Sequence, residues 1–372
     1  MASAPASRRS SHDAPNSDSA KAKDRARSRS PLRRNPKFQR PPEPKDPPKP
    51  KTESGPNIIF LASKSAPAKP PPMVAAAGGS AQAGQHFKGK RYGCWTHDPE
   101  QLGSKPRCLH LFSGPERKGD LTDMLKELGW AVCSCDIKQP TPTNLLDQAT
   151  KAAVLEDVEM QVFDAVFLGT PCETYSALRE IRPGPKPLRS ESELMGVSSG
   201  LNEAEKKQLM EGNLHTEFSA DVMEKAHKSY TPFTVENPEP INPVSIFNTP
   251  RFKKIAELRN VRNSDFDQCC VGCEAKKPTR LMKYRIEYTG LHGKRCMHEI
   301  QTFKDEEGKE YRAAHERVAQ RRRTTSDGKS EYASKALGNY PQTFCKVLAR
   351  GISMVNMERA MRCRELQEEP LP

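Results

Sequence analysis

Apolar residues along this chain come in short blocks that alternate between two periods. Arg107 to Phe112 is a mostly apolar run that stops at Ser113 and Gly114, the pattern of a short buried strand. Leu121, Met124, Leu125 and Leu128 then share one helical face, which Gly129 terminates. Trp130 to Cys135 reads as a second strand ending at Asp136, and a helix is expected over roughly Gln148 to Val158. Phe163 to Leu168 is a third strand, ending at Gly169, Thr170 and Pro171. A long helical stretch from Asn202 to Ser229 leads into a fourth strand, Pro232 to Val235. A last helix near Thr343 to Ile352 would close the fold.

Strands that alternate with helices predict an α/β fold, a mostly parallel sheet covered by helices on both faces. Ligands of such sheets bind beyond the carboxyl ends of the strands. All four predicted strands end in polar or glycine-containing sequence: Ser113-Gly114, Asp136, Pro171-Cys172 and Glu236-Asn237.

Composition confines the fold to part of the chain. Residues 1–90 hold 15 of the 33 prolines, with 18 Lys and Arg against 6 Asp and Glu. Subtracting these from totals of 60 and 47 leaves 42 basic and 41 acidic residues, so nearly all of the +13 charge sits in this leader. The expected organisation is a disordered basic tail over residues 1–87, a folded domain over 88–355 and a C-terminal tail over 356–372. A basic tail attracts nucleic acid phosphates without sequence preference; a solubilising leader is the alternative. The segment RARSRSPLRR (residues 25–34) points to the nucleus. No run of some 18 apolar residues predicts a membrane span, and no apolar leader predicts secretion. Eleven cysteines at irregular spacing then read as reduced thiols.

Two strand ends carry reactive chemistry. Cys172 follows a buried strand on a proline-constrained turn, where exposure and a nearby helix N-terminus would favour thiolate. Glu236 puts a carboxyl group at a neighbouring strand end. A thiolate that adds to C6 of cytosine, with an acid that protonates N3, makes C5 nucleophilic enough to take a methyl group.

The ordered set resembles the cytosine-C5 DNA methyltransferase family: Leu111-Phe112-Ser113-Gly114, an acidic residue after strand two, Pro171-Cys172-x-x-Tyr175-Ser176, and Phe233-x-Val235-Glu236-Asn237. It is similar in particular to a divergent branch in retroelements and phages, through residues 111–121, Phe266-Asp267-Gln268-Cys269, Lys277-Pro278-Thr279 and Tyr340-Pro341-Gln342. The resemblance covers roughly residues 90–352. It implies a Rossmann-like S-adenosylmethionine-dependent methyltransferase fold, S-adenosyl-L-methionine as cofactor and DNA as partner, or RNA by the same chemistry.

The residue roles it implies are these. Cys172 is the nucleophile and Glu236 the N3 acid, with Asn237 ordering its loop and Ser176 completing the motif. Phe112, Ser113 and Gly114 border the cofactor, Phe112 against adenine; Asp136 meets the ribose hydroxyls and Asp147 the adenine amino group. Asp147 reads equally as a helix N-cap. Lys277, with Thr279 and Arg280, falls near the arginines that hold the base.

This chain also departs from the family. Glu116 stands where a second glycine is usual, and Lys276-Lys277-Pro278-Thr279-Arg280 replaces the usual Gln-x-Arg-x-Arg. The target-recognition-like insert, residues 281–332, is short. These departures favour the rival reading, a catalytically silent nucleic-acid-binding module; the intact Cys172, Ser176, Glu236 and Asn237 oppose it. A methyltransferase for other substrates would have little use for Cys172.

Cys270, Cys273, Cys296 and His298 have zinc-like spacing, though buried thiols beside solvent-facing histidines, including His292 and His315, are the preferred reading. Arg321, Arg322 and Arg323 read as a solvated helix face or as contacts to a nucleic acid backbone.

Overall fold

The computed structural model describes residues 92–98, 102–181, 184–305, 307–318, 321–324, 328 and 330–368. The expected basic tail, residues 1–87 with its segment 25–34, lies outside the described residues.

A seven-stranded mixed sheet organises the chain, and continuous apolar runs form its centre. β2 (Arg107–Leu111), β3 (Ala131–Cys135), β4 (Ala165–Leu168) and β5 (Phe233–Pro238) run parallel. Each is buried on both faces, which explains why their sequences do not alternate. Successive side chains still point to opposite faces. Leu109, Leu111, Val166 and Leu168 meet α2 (Gln148–Glu159), α3 (Glu203–Lys228) and α4 (Pro250–Ala256) on one face. Cys108, Ala165 and Phe167 meet α1 (Leu121–Glu127) and α5 (Gln342–Glu368) on the other.

The remaining strands are antiparallel. β1 (Cys94–Trp95) edges the sheet against β3. At the far end β7 (Pro278–Tyr284) lies between β5 and β6 (Val261–Asp267), antiparallel to both, giving the order β1-β3-β2-β4-β5-β7-β6. The fold is therefore α/β with a mostly parallel sheet, as expected, and its mixed edge is compatible with a Rossmann-like architecture.

Helix ends follow side-chain chemistry. Asp120 caps α1 by accepting from Asp123 N at 3.0 Å, and Asn202 with Glu205 forms a reciprocal capping box on α3. The close approach of α5 to the chain just after β7 needs Gly351, where a Cβ would stand 2.4 Å from the Tyr288 ring.

Three expectations are corrected. The insert does not begin at residue 281, because Leu281 to Tyr284 complete the sheet strand β7, buried against β5. Residues 356–368 are not tail but the continuation of α5. The arginine run is not a helix face: Arg322 lies in β10 (Arg322–Thr324), paired with β11 (Ser330–Tyr332) in one small ribbon, while β8 (Gln301–Lys304) and β9 (Glu310–Ala313) form another. Among the described residues no helix is long and apolar enough to cross a membrane.

His110 sits inside this core, packed edge-on against Phe167 and bonded to Thr122, which in turn meets Ser134. Burial lowers its pKa to about 3, so the folded protein holds a neutral imidazole. The unfolded chain takes up the proton near pH 6.5, and the folded one does not until far lower pH. The stability His110 contributes is thus present above about pH 6.5 and lost as pH falls, at about 1.4 kcal/mol per pH unit for one proton. Urea midpoints measured from pH 7 to 4 should fall more steeply for the native protein than for His110→Gln; equal slopes would contradict this.

Candidate active site

The sheet order creates a crevice. From β2 the chain moves outward to β3, then crosses back to β4 on the other side of β2, so connections diverge beyond the carboxyl ends of β2 and β4. Phe112, Ser113 and Gly114 form the β2 end, with Phe112 and Gly114 at positive φ (56° and 71°). Phe112 N donates to Cys135 O at 2.8 Å, and Gly114 N donates to Asp136 Oδ2 at 2.9 Å. The other Asp136 oxygen accepts from Lys138 N at 2.8 Å. The loop is fixed from below by Gln139, buried, whose amide donates to Ser113 Oγ (3.0 Å) and Gly114 O (2.7 Å). A Cβ on Gly114 would meet nothing within 4 Å, so the turn faces open space. The Phe112 ring packs edge-on to His215 of α3, with centroids 5.2 Å apart. Asp147 is exposed and caps α2 through Thr150 (2.8 Å to N, 2.9 Å to Oγ1), the capping alternative.

Cys172 follows β4, and Glu236 lies in the C-terminal half of the neighbouring β5. The two ends are tied together where Asn237 Nδ2 donates to Thr170 O at 2.7 Å, and Thr170 Oγ1 meets Ser219 Oγ at 2.8 Å. Glu236 is buried, and burying a carboxylate requires compensating donors. Gln268 donates to Oε1 at 3.1 Å, Lys277 Nζ stands 3.5 Å from the same oxygen, and Tyr340 OH donates to Oε2 at 2.8 Å. Burial, then the Glu236 charge, holds the Tyr340 phenol well above its ordinary pKa and so keeps it a donor. Thr279 Oγ1 accepts from Gln268 at 3.0 Å, and Lys277 also donates to Leu337 O at 3.2 Å. Gly169 leaves room for this group, since a Cβ there would come within 3.1 Å of the Tyr340 oxygen.

Lys277 and Thr279 therefore join Glu236, but Arg280 does not. Alternation along β7 turns Arg280 to the opposite face, where it forms a two-point ion pair with Asp265 (2.7 and 2.8 Å). Ser176 caps a 3-10 turn, Ala177–Glu180, with Leu178 N donating to its hydroxyl. Cys172 is followed by this turn instead of an α-helix, which removes the expected helix terminus. Cys172 is partly exposed, yet burial pushes its thiol up to about 11. The Lys277 charge opposes that shift, while the Glu236 and Glu173 carboxylates add to it. The expectation of a favoured thiolate is thus overturned: the resting group is a neutral thiol.

Behind Cys172 the loop is braced by buried Arg189, whose guanidinium lies 3.6 Å from the Tyr175 ring centroid and donates to Thr174 Oγ1 at 2.8 Å. Of the candidate metal ligands, Cys296 and His298 come together, but with Cys269 and His315 in place of Cys270 and Cys273.

No family model matches the chain, and no curated protein matches it. What the geometry offers is a thiol, a buried carboxylate and an ammonium group beside an open glycine turn. This is an arrangement for nucleophilic addition to an electron-poor ring or carbonyl.

Alkylation tests the electrostatics directly. Iodoacetamide labelling of Cys172, followed by mass spectrometry across the alkaline range, should inflect near pH 11. Lys277→Met should move the inflection higher and Glu236→Gln lower. An inflection below the ordinary thiol range would contradict the raised pKa.

Proposed function

We propose that this chain is an S-adenosylmethionine-dependent methyltransferase acting on C5 of cytosine in DNA. The observation that carries the reading is the meeting of Cys172 and Glu236, at the ends of parallel strands, with Lys277, which directly precedes antiparallel β7. The methyltransferase form of the Rossmann-like fold belongs to the same proposal, supported by the crevice between β2 and β4.

The residues of the crevice fit the cofactor. Gly114 leaves an open cradle, and each Asp136 oxygen accepts one backbone N–H, leaving lone pairs for ribose hydroxyls. Ile137, next to Asp136, is 65% exposed and offers an apolar surface to a nucleobase. Bound there, S-adenosylmethionine supplies an electrophilic methyl group.

A cytosine must leave the duplex to reach Cys172. The Cys172 thiol passes its proton to the Glu236 carboxylate, helped by the Lys277 charge, and its sulfur adds to C6, breaking the C5–C6 π bond. Glu236 donates a proton to N3 and so stabilises the displaced electrons. C5 would then take the methyl group, with the sulfonium–methyl bond breaking to leave a neutral thioether. Loss of the C5 proton to water, with return of the N3 proton to Glu236, restores the double bond and expels the sulfur as thiolate. Tyr340 and Gln268 hold Glu236 in place for N3, and Asn237 fixes the strand end that carries it.

Contact with the polymer backbone falls to the ribbons of residues 301–332, where Lys304, Lys309, Arg312, Arg317, Arg321 and Arg322 are exposed. With the basic leader and its nuclear-type segment, this favours a nucleic acid substrate in the nucleus. The neutral resting thiol of Cys172 favours the second reading, a silent binding module with the same fold.

Covalent trapping separates the two. Oligonucleotides with 5-fluorocytosine, as DNA and as RNA, should give a denaturation-resistant adduct that needs both S-adenosylmethionine and Cys172. Glu236→Gln should slow trapping by about 10²–10⁴-fold, and Cys172→Ala should abolish it. An RNA-only adduct would move the substrate to RNA. A folded, cofactor-binding protein that traps neither polymer would establish the silent module.

A further inference from the structure

After Ile286, Tyr288 and Leu291, which are buried in the core, the chain between β7 and α5 comes to the surface. Residues 297–300 are exposed, with Met297 93% and Ile300 62% accessible, and the strands described beyond them are two short ribbons. Isolated two-stranded ribbons are marginally stable in water. Four donor atoms nevertheless converge where it passes the end of β6. Cys269 comes from the 3-10 turn Gln268–Val271 after β6, Cys296 and His298 from the stretch before β8, and His315 from the chain after β9. Their ligand atoms all lie within 4.8 Å of one another. Cys296 Sγ is 3.4 Å from His298 Nδ1 and 3.2 Å from His315 Nε2. Tetrahedral zinc, with bonds of about 2.3 Å to sulfur and about 2.0 Å to nitrogen, places its ligands about 3.3–3.8 Å apart.

The surroundings orient these donors. His315 Nδ1 lies 2.8 Å from the Glu274 carbonyl, to which it donates, so Nε2 presents its lone pair to the cluster. Cys296 N donates to Asp267 Oδ2 at 2.9 Å, and neighbouring Arg295 grips Glu239 with two bonds. A chance pair of thiol and imidazole would not need a second of each, brought from three separate segments. We infer that Cys269, Cys296, His298 and His315 form a structural zinc site that fastens the segment after β7 to the end of β6. Two thiolates and two imidazoles select zinc over magnesium or calcium, which prefer oxygen. Four protein ligands complete the tetrahedron and leave no position for a reacting water.

Cys270 and Cys273 supply the internal control, being adjacent thiols outside the set. Full-length protein from zinc-supplemented cells should contain about one zinc per chain by mass spectrometry of the metal. Cys269→Ser, Cys296→Ser and His315→Ala should each lose most of it, while Cys270→Ser and Cys273→Ser keep it. Cobalt exchanged into the native protein should give the intense visible bands of a tetrahedral thiolate site, a readout that requires no variant to fold. A chelator should lower the thermal midpoint of the native protein but not of Cys296→Ser. Native protein that neither retains zinc nor takes up cobalt would overturn the proposal. So would zinc lost from Cys270→Ser or Cys273→Ser but retained by Cys269→Ser. None of these readouts depends on methyl transfer.

Discussion

A carboxylate buried at the end of a sheet strand must be met by donors, and meeting Glu236 determines much of this structure. Its partners arrive from three places: Gln268 from the turn after β6, Lys277 from the start of β7, and Tyr340 from the entry to α5. An uncompensated charge at that depth would cost several kcal/mol. The demand accounts for the reversed strand at the sheet edge: β7 returns between β5 and β6, which brings Lys277 and Thr279 alongside Glu236. It also accounts for Gly169, since any side chain there would displace the Tyr340 hydroxyl.

The central strands were legible because burial on both faces leaves an uninterrupted apolar run, and their polar ends mark the crevice. β6 and β7 were not. Val261–Asp267 carries Arg262 and Asn263 on exposed positions and a half-buried Asp265, so neither an apolar run nor a clean alternation announces it. β1 is two residues long and has no period to read. At the site, Cys172, Glu236 and Asn237 could be found from strand ends. Gln268 and Tyr340 stand in the sequence pattern without a role, because their contacts with Glu236 span 32 and 104 residues. Gln139 gave no signal; an amide that bonds a neighbouring loop looks like any surface glutamine. The metal-type cluster was half visible: spacing suggested Cys270 and Cys273, whereas the 3-10 turn presents Cys269 to it.

The resting state of Cys172 follows from the same charge balance. Two carboxylates and the surrounding packing favour the thiol, and Lys277 alone among the named neighbours favours the thiolate. Lys277 is shared, however, between Glu236 and the sulfur. A Glu236 carboxylate that takes up the thiol proton would free the ammonium to act on the sulfur instead. On the proposed reaction, acid and nucleophile are coupled through one cation, and a neutral resting thiol is protected from oxidation until substrate arrives.

That coupling extends one residue further. Cys269 follows Gln268 directly, and both lie in the short turn that ends β6. The proposed zinc would therefore fix the turn whose other residue positions Glu236. The same ion would also fix the segment that carries the exposed basic ribbons. A tether of one residue transmits displacement almost undiminished, because backbone geometry allows two adjacent Cα atoms no freedom in their separation. Ordering the polymer-facing segment and holding the carboxyl group at its place beside the sulfur then become a single structural requirement, met at a turn of four residues.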